Sequence, residues 1–413
     1  MALALLPMAA RAATFAASLV VCLAAPTGAV RADADFERWM RAFWPQAKAA
    51  GITRATFDTA FAGITSPDPE VLELARKQPE FTKTIGEYLA TAVSDARIET
   101  GKQMLADYKP WLDRIESHFG VQREIVVAIW GMESNYGKVL DDPKIVRSVV
   151  RSLATLACCD PQRRKFGRSQ LVAALKILQR GDVPASRFTG SWAGAMGHTQ
   201  FIPTSYLAFS TDADGDGRVD IWSNVPDALA TAASLLAKNG WQRGETWGYE
   251  VTLPPGFNLR LADEKTQRTL AQWQSLGVRR AAGGGFPRPD DKARLMMPAD
   301  ARGPAFLLAK NFSVIKRYNN ANAYALAVGH LADRLVGGGP LAANWPADVR
   351  PLTTAQIETM QKLLSARGYS TGGIDGKLGP GTRKAIAAYQ SASGLPADGF
   401  PSLSLLARLE GDS

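Results

Sequence analysis

At 413 residues, with 46% hydrophobic and 21% charged content, the chain is long enough for two or three domains and too apolar to be mainly disordered. Its 48 Lys and Arg against 39 Asp and Glu leave a net charge of +9, which first suggests nucleic acid. No basic run interleaved with aromatics supports that partner, so an anionic envelope surface or a general richness in Arg explains the charge.

The first segment is a leader. Arg11 precedes an Ala-rich apolar run from Ala12 to Ala25, and small residues follow at Ala29 and Ala32, the order of a secretory signal peptide over residues 1–32. The basic residue follows Met8 more naturally than Met1, so either methionine can be the start. Cys22 has Val21 before it where a lipoprotein signal wants a small residue, so lipoprotein attachment is not expected. No later run reaches ~18 consecutive apolar residues, and a soluble exported protein is expected. Cys158 and Cys159 are adjacent and imply no disulfide framework; two thiols are the expected state, with a vicinal bridge as the alternative.

From Asp33 to about Asn239 apolar residues recur at three- and four-residue spacing, as in Ala47 to Phe61 and Ile85 to Leu105, which predicts helices. Between Glu245 and Pro304 the pattern turns to Pro, Gly and short β-prone pieces such as GYEVTLPPGF, an irregular subdomain with short strands. A helix over Ala321 to Leu335 then closes a first domain spanning 33–336. The cluster Gly337 to Pro340, with Pro346 and Pro351, reads as a linker over 337–351, crossed by few contacts. Residues 352–410 follow as three short helices, too few for a second enzyme and enough for a binding module. The fold class is mainly α, with a small β-containing subdomain and a three-helix C-terminal module.

The segment VQREIVVAIWGMESNYG, Val121 to Gly137, is apolar on nearly every side until it meets Glu133. A carboxyl at the C-terminal end of a buried helix is pushed toward its neutral form by desolvation and by the helix dipole. Such a group suits general-acid chemistry. Helix physics alone leaves an alternative open, a structural pair with Arg147 or Arg151. Ser134 and Asn135 add polar groups beside the carboxyl, and Tyr136 offers a face on which a sugar can stack.

The stretch ESNYG resembles the catalytic signature of lytic transglycosylases, whose domain is similar to goose-type lysozyme. GSWAGAMGHTQFIPTSY (Gly190 to Tyr206), DADGDGRVDIW (Asp212 to Trp222) and RYNNANAYALAV (Arg317 to Val328) resemble, in family order, the lytic murein transglycosylase B family. The resemblance implies a lysozyme-like catalytic domain, Glu133 as acid and base, and Ser191, Gln200, Phe201, Tyr318, Asn319, Tyr324 and, less directly, Tyr88 as groove residues. It implies peptidoglycan glycan strands as substrate, a periplasmic setting and no catalytic cofactor, with other cell-wall enzymes as further partners to consider and no nucleic acid. His198 has no expected catalytic role.

A hydrolysing glycosidase ordinarily uses two carboxylates. Asp141 and Asp142 are the nearest, but they follow Gly137 and precede Pro143, where a loop or capping role fits better. A lytic transglycosylase needs no second carboxylate, because the muramic acid's own primary hydroxyl attacks the anomeric carbon to give a 1,6-anhydro end. A water-using muramidase and, less favoured, a non-enzymatic wall binder stay open beside it.

Asp212, Asp214 and Asp216, with Gly217 in sixth place, match the first half of an EF-hand loop, while Ser223 stands where its closing Glu belongs. Structural calcium held by Asp212, Asp214, Asp216, Asp227 and the Arg218 carbonyl is weighed evenly against a plain Asp/Gly turn. Residues Ile357 to Leu409 resemble the peptidoglycan-binding domain type 1, with Leu363, Leu364, Ile386 and Tyr389 spaced for its core.

Overall fold

The computed structural model describes residues 27–77, 83–263 and 265–411, with side chains from Ala34 onward. The apolar run of the expected signal segment, with Met8 and Cys22, lies outside the described residues.

Seven helices lead to the candidate acid: α1 (Thr27–Ala49), α2 (Arg54–Phe61), α3 (Pro69–Arg76), α4 (Ile85–Ala92), α5 (Asp95–Asp107), α6 (Lys109–Phe119) and α7 (Arg123–Ser134). Their starts are written in the sequence. Thr53 and Ser94 cap α2 and α5 through side-chain oxygens, and Asp68 caps α3 ahead of Pro69. Thr84 and Glu87 close a capping box on α4. β1 (Arg147–Ser148) then pairs antiparallel with β2 (Thr189–Gly190), bracketing α8 (Val149–Cys159) and α9 (Arg164–Arg180). After α10 (Pro203–Phe209) and α11 (Val225–Lys238) the chain enters the β-rich part.

That part holds β3 (Gly248–Thr252), β4 (Arg268–Thr269), α12 (Leu270–Ser275), β5 (Arg279–Arg280), β6 (Lys292–Met296) and β7 (Ala305–Leu308), in the antiparallel order β4-β6-β7-β3-β5. Both faces of β7 are buried, which its unbroken apolar run AFLL requires. Ala305 and Leu307 face a local core with Val251, Trp273 and Leu295, while Phe306 and Leu308 join the main helical core. The period of two along the strand thus ties the subdomain to the helices.

α13 (Lys310–Tyr318) and α14 (Asn322–Leu335) complete the main core, α14 packing against α4, α5, α7 and α13. Gly329 on α14 lets Trp247 lie against the helix backbone, since a Cβ there would stand 2.4 Å from the indole. α15 (Thr354–Ala366), α16 (Pro380–Ala392) and α17 (Leu403–Gly411) form a separate small core around Met360, Leu364, Ile386, Tyr389 and Leu409. Buried Gln361 and Gln390 each clamp an Asp-Gly turn, at Asp375–Gly376 and Asp398–Gly399, by taking backbone N–H groups on the amide oxygen and donating to the Asp carboxylate.

Two sequence expectations need correction. Cys158 and Cys159, expected as thiols, are joined to each other at the end of α8. A bridge between adjacent residues closes no loop, so it leaves no trace in the Cys spacing and ties no two elements together. The segment after α14, expected to cross with few contacts, lies against the catalytic half: Leu341 and Trp345 pack on its core and Glu250 accepts the N–H groups of Ala342 and Ala343. Gly and Pro signal irregular backbone, and irregular backbone can be docked as well as free.

Candidate active site

Glu133 stands in the last turn of α7, a helix buried from Ile125 through Gly131 and packed by α5, α6, α11 and α14. Each fully buried Val, Ile or Trp there contributes roughly 1.5–3 kcal/mol, so the helix position is firmly set. Its end is held just as firmly. Asn135, Tyr136 and Gly137 follow with φ of 50°, 60° and 87°, three left-handed residues in succession. For residues other than glycine this costs of order 1–3 kcal/mol each and persists only where surroundings enforce it.

The enforcement is visible at Tyr136. Its hydroxyl donates to the Arg97 carbonyl at 3.0 Å, its ring meets Trp130 edge-on at 5.6 Å, and it lies close over Gly131, where a Cβ would stand 2.6 Å from the ring. Tyr136 therefore points into the core and offers no face to a sugar. Ser134 likewise braces the turn, donating to the His198 carbonyl at 2.6 Å and accepting from Gly137 N–H at 2.9 Å. His198 accepts from the Trp130 indole at 3.1 Å, and burial lowers its pKa, so it too is a brace. The turn ends α7 one residue beyond Glu133.

Around the Glu133 carboxyl stand three tyrosines. Tyr324, 4% exposed on α14, donates its hydroxyl to Oε1 of Glu133 at 2.6 Å. Tyr318 donates to the Thr199 carbonyl at 2.6 Å, and Phe201 backs it edge-on at 5.5 Å. Tyr88, half-buried on α4, completes the set. Burial first, and the Glu133 charge second, raise the pKa of all three phenols, so they stay donors. Glu133 itself is pushed up to about 7 by desolvation, opposed by the Tyr324 hydrogen bond. Dense protein surrounds the carboxyl, yet the residue as a whole is only half-buried. Such a carboxyl holds its proton to higher pH than an ordinary glutamate does.

Ser191 and Gln200 line a recess walled by Val139, Leu140, Ile145 and Val146 of the loop after α7. The Ser191 hydroxyl accepts from Ala195 N–H at 3.1 Å. Gln200 has φ of 49°, and its amide donates to the Gly197 carbonyl at 2.8 Å. Phe201, 3% exposed, sits one layer behind Tyr318, and exposed Asn319 accepts from Ala321 N–H at the start of α14. Sequence reading missed Thr199, whose carbonyl fixes Tyr318; a backbone acceptor carries no side-chain signal.

The alternative reading of Glu133 as half of an ion pair does not hold. Arg147 bridges to Asp68 at 3.4 Å and to Glu70, and Arg151 donates to Ser66 and Pro67, all on the α3 side. Among the described residues no second carboxylate contributes to the Glu133 shift. Asp142 caps the turn at Lys144, and Asp141 is exposed.

The acidic loop is a tightly bonded turn whose carboxylates also converge. Asp212 accepts from Gly215 and Gly217, Asp214 from Asp216 and Asn224, and Asp216 from Arg218, which is dense turn stabilisation. One carboxylate oxygen from each of Asp212, Asp214 and Asp227 also lies within 4.8 Å of the others. Asp216 is exposed and stands outside that group. Burial, with lesser repulsion from Asp214 and Asp212, raises the Asp227 pKa to about 6. Three converging hard oxygens, one of them on a carboxyl whose pKa burial raises, fit a divalent cation such as calcium.

A mainly helical domain that encloses one carboxyl, its pKa raised by burial and its oxygen bonded to a buried tyrosine, has the form of the lysozyme-like class. Residues 35–333 match the family model described as the Transglycosylase SLT domain, and residues 353–409 match a peptidoglycan binding domain. The chain belongs to the transglycosylase SLT-domain family. It is similar to membrane-bound lytic murein transglycosylase B of Escherichia coli (strain K12), 29% identical over 249 residues, 59% of this chain and 65% of that relative's length. Crystal structures of SltB3 from Pseudomonas aeruginosa are similar over 91% of this chain and 99% of theirs. The complex with NAG-anhNAM-pentapeptide has a TM-score of 0.85 at 48% identity, and that with NAG-NAM-pentapeptide 0.84 at 49%. The Escherichia coli lytic transglycosylase Slt35 in complex with calcium matches at TM-score 0.59 and 24% identity, over 73% of this chain and 92% of its own, a likeness of fold alone.

Proposed function

We propose that the protein cleaves the β-1,4 bond between N-acetylmuramic acid and N-acetylglucosamine in peptidoglycan, leaving a 1,6-anhydromuramic end. The observation that carries this is Glu133, a single enclosed carboxyl with its pKa near 7 and no carboxylate partner among the described residues. The Glu133 proton passes to the glycosidic oxygen as the C–O bond breaks. The carboxylate then takes the proton of the muramic C6 hydroxyl as its oxygen bonds to the anomeric carbon, so acid and base are one group and no water is consumed. Tyr324 steadies the carboxylate between these steps, and Tyr88, Tyr318, Ser191, Gln200, Phe201 and Asn319 line or back the groove.

Residues 33–336 form the catalytic domain in this reading, 337–351 the linker and 352–410 a module that retains the enzyme on the wall. Export to the periplasm, where peptidoglycan lies, fits the leader, and no described helix is long and apolar enough to cross a membrane. Calcium, when bound, would supply charge compensation at Asp212, Asp214 and Asp227 and hold the fold, with no part in the chemistry.

Glu133→Gln tests the reading. The variant should bind sacculi and fold as the wild type does while releasing no soluble fragments. Release at the wild-type rate would overturn the assignment.

A further inference from the structure

The segment after α14 ties two distant parts of the catalytic half together. At one end both carboxylate oxygens of Glu250, on β3, accept the N–H groups of Ala342 and Ala343 at 2.8 Å. In the middle Trp345 packs on α4 at Gly86, where a Cβ would stand 2.6 Å from Cγ and 2.7 Å from Cδ2 of the indole. At the far end Arg350 donates at 2.9 Å to Oε1 of Glu87, whose Oε2 accepts from Thr84 N–H and so starts the same helix. Between these points Asp348 pairs with Arg302 at 2.9 Å, and Val349 is buried.

α4 has eight residues, too short to hold its place by its own hydrogen bonds. Its position comes from packing, with α14 on one side and Trp345 seated at Gly86. Two residues past Gly86 is Tyr88, on a helix that packs against α14, where Tyr324 bonds to Glu133 at 2.6 Å, and the Glu133 charge helps raise the Tyr88 pKa after burial. We propose that residues 341–350 are a strap that sets α4, and through it Tyr88, against Glu133, with Trp345 as a positioning residue for catalysis. The catalytic unit thereby takes in residues 341–350 of the expected linker and does not end at Val336. The inference rests on the glycan-cleaving reading of Glu133 and adds to it a residue far along the chain, Trp345.

The test uses the full chain and short soluble peptidoglycan glycans, which need no wall attachment. Trp345→Ala should lower kcat by about tenfold or more, the scale of a displaced active-site group, with sacculus binding unchanged and Trp345→Phe restoring most of the rate. In a Tyr88→Ala background the same change should cost less than about twofold, because the group it positions is gone. Glu250→Gln and Arg350→Ala, which loosen the strap without opening its apolar seat, should lower kcat in the same direction. A folded Trp345→Ala with wild-type kcat, a loss that multiplies undiminished on Tyr88→Ala, or a Tyr88→Ala that costs nothing would each overturn the strap. Failure of the wild type to cleave any glycan would instead overturn the reading of Glu133, so the two failures are told apart.

Discussion

Tyr324 and Glu133, 191 positions apart, meet through a 2.6 Å hydrogen bond that joins the first turn of α14 to the last turn of α7. The bond favours the charged carboxylate and opposes the burial that favours the neutral acid. Tyr324→Phe should therefore raise the Glu133 pKa above about 7 and move the alkaline fall in kcat to higher pH. An unchanged or acid-shifted limb in the pH profile would show that the hydroxyl does not reach the working carboxylate.

Stability should carry the mark of the same carboxyl. Its pKa is raised on folding from 4.5 to about 7, so the folded protein holds the proton more tightly and loses stability as pH rises through that window. Glu133→Gln removes the penalty. Its melting temperature should match the wild type near pH 4.5 and exceed it at pH 8, and a difference of the opposite sign would refute the buried-acid description.

Gly131 leaves no room beneath the catalytic turn, since a Cβ would stand 2.6 Å from Cζ of Tyr136. Gly131→Ala should displace Tyr136, cost about 1–3 kcal/mol by denaturant unfolding and lower kcat more than it changes KM. Wild-type kcat in a stable variant would mean that the left-handed turn does not place Glu133.

For the acidic loop, calcium should raise the melting temperature, with ~2.7 kcal/mol of added stability at a hundredfold excess over Kd. Asp214→Asn should abolish the response. Lowering the pH through about 6 should weaken it as Asp227 takes up a proton. A melting temperature indifferent to calcium in the wild type would leave the loop as an Asp/Gly turn.

Much of this was legible in the sequence because local rules govern it. Capping at Thr53, Asp68, Thr84 and Ser94 starts helices where the periodicity begins, and the apolar run before Glu133 marks a buried helix with an acid at its end. The Asp-rich loop could be read only as two coexisting possibilities, because turn stabilisation and cation binding ask for the same residues. What was not legible depends on three-dimensional direction. Tyr136 looks like a sugar platform until the left-handed backbone turns it inward, and Phe201 supports Tyr318 where a groove wall was expected. Trp345 was passed over inside a Gly- and Pro-rich segment. A large aromatic in such a stretch is itself a sign of docking, because a free linker has no use for it.

The most direct measurement digests sacculi in water enriched in oxygen-18 and weighs the new muramic ends by mass spectrometry. Intramolecular attack with Glu133 as the one acid and base predicts ends lighter by one water than reducing ends, free of the heavy isotope and absent with Glu133→Gln. Reducing ends that carry oxygen-18 would contradict the account and make the enzyme a water-using muramidase.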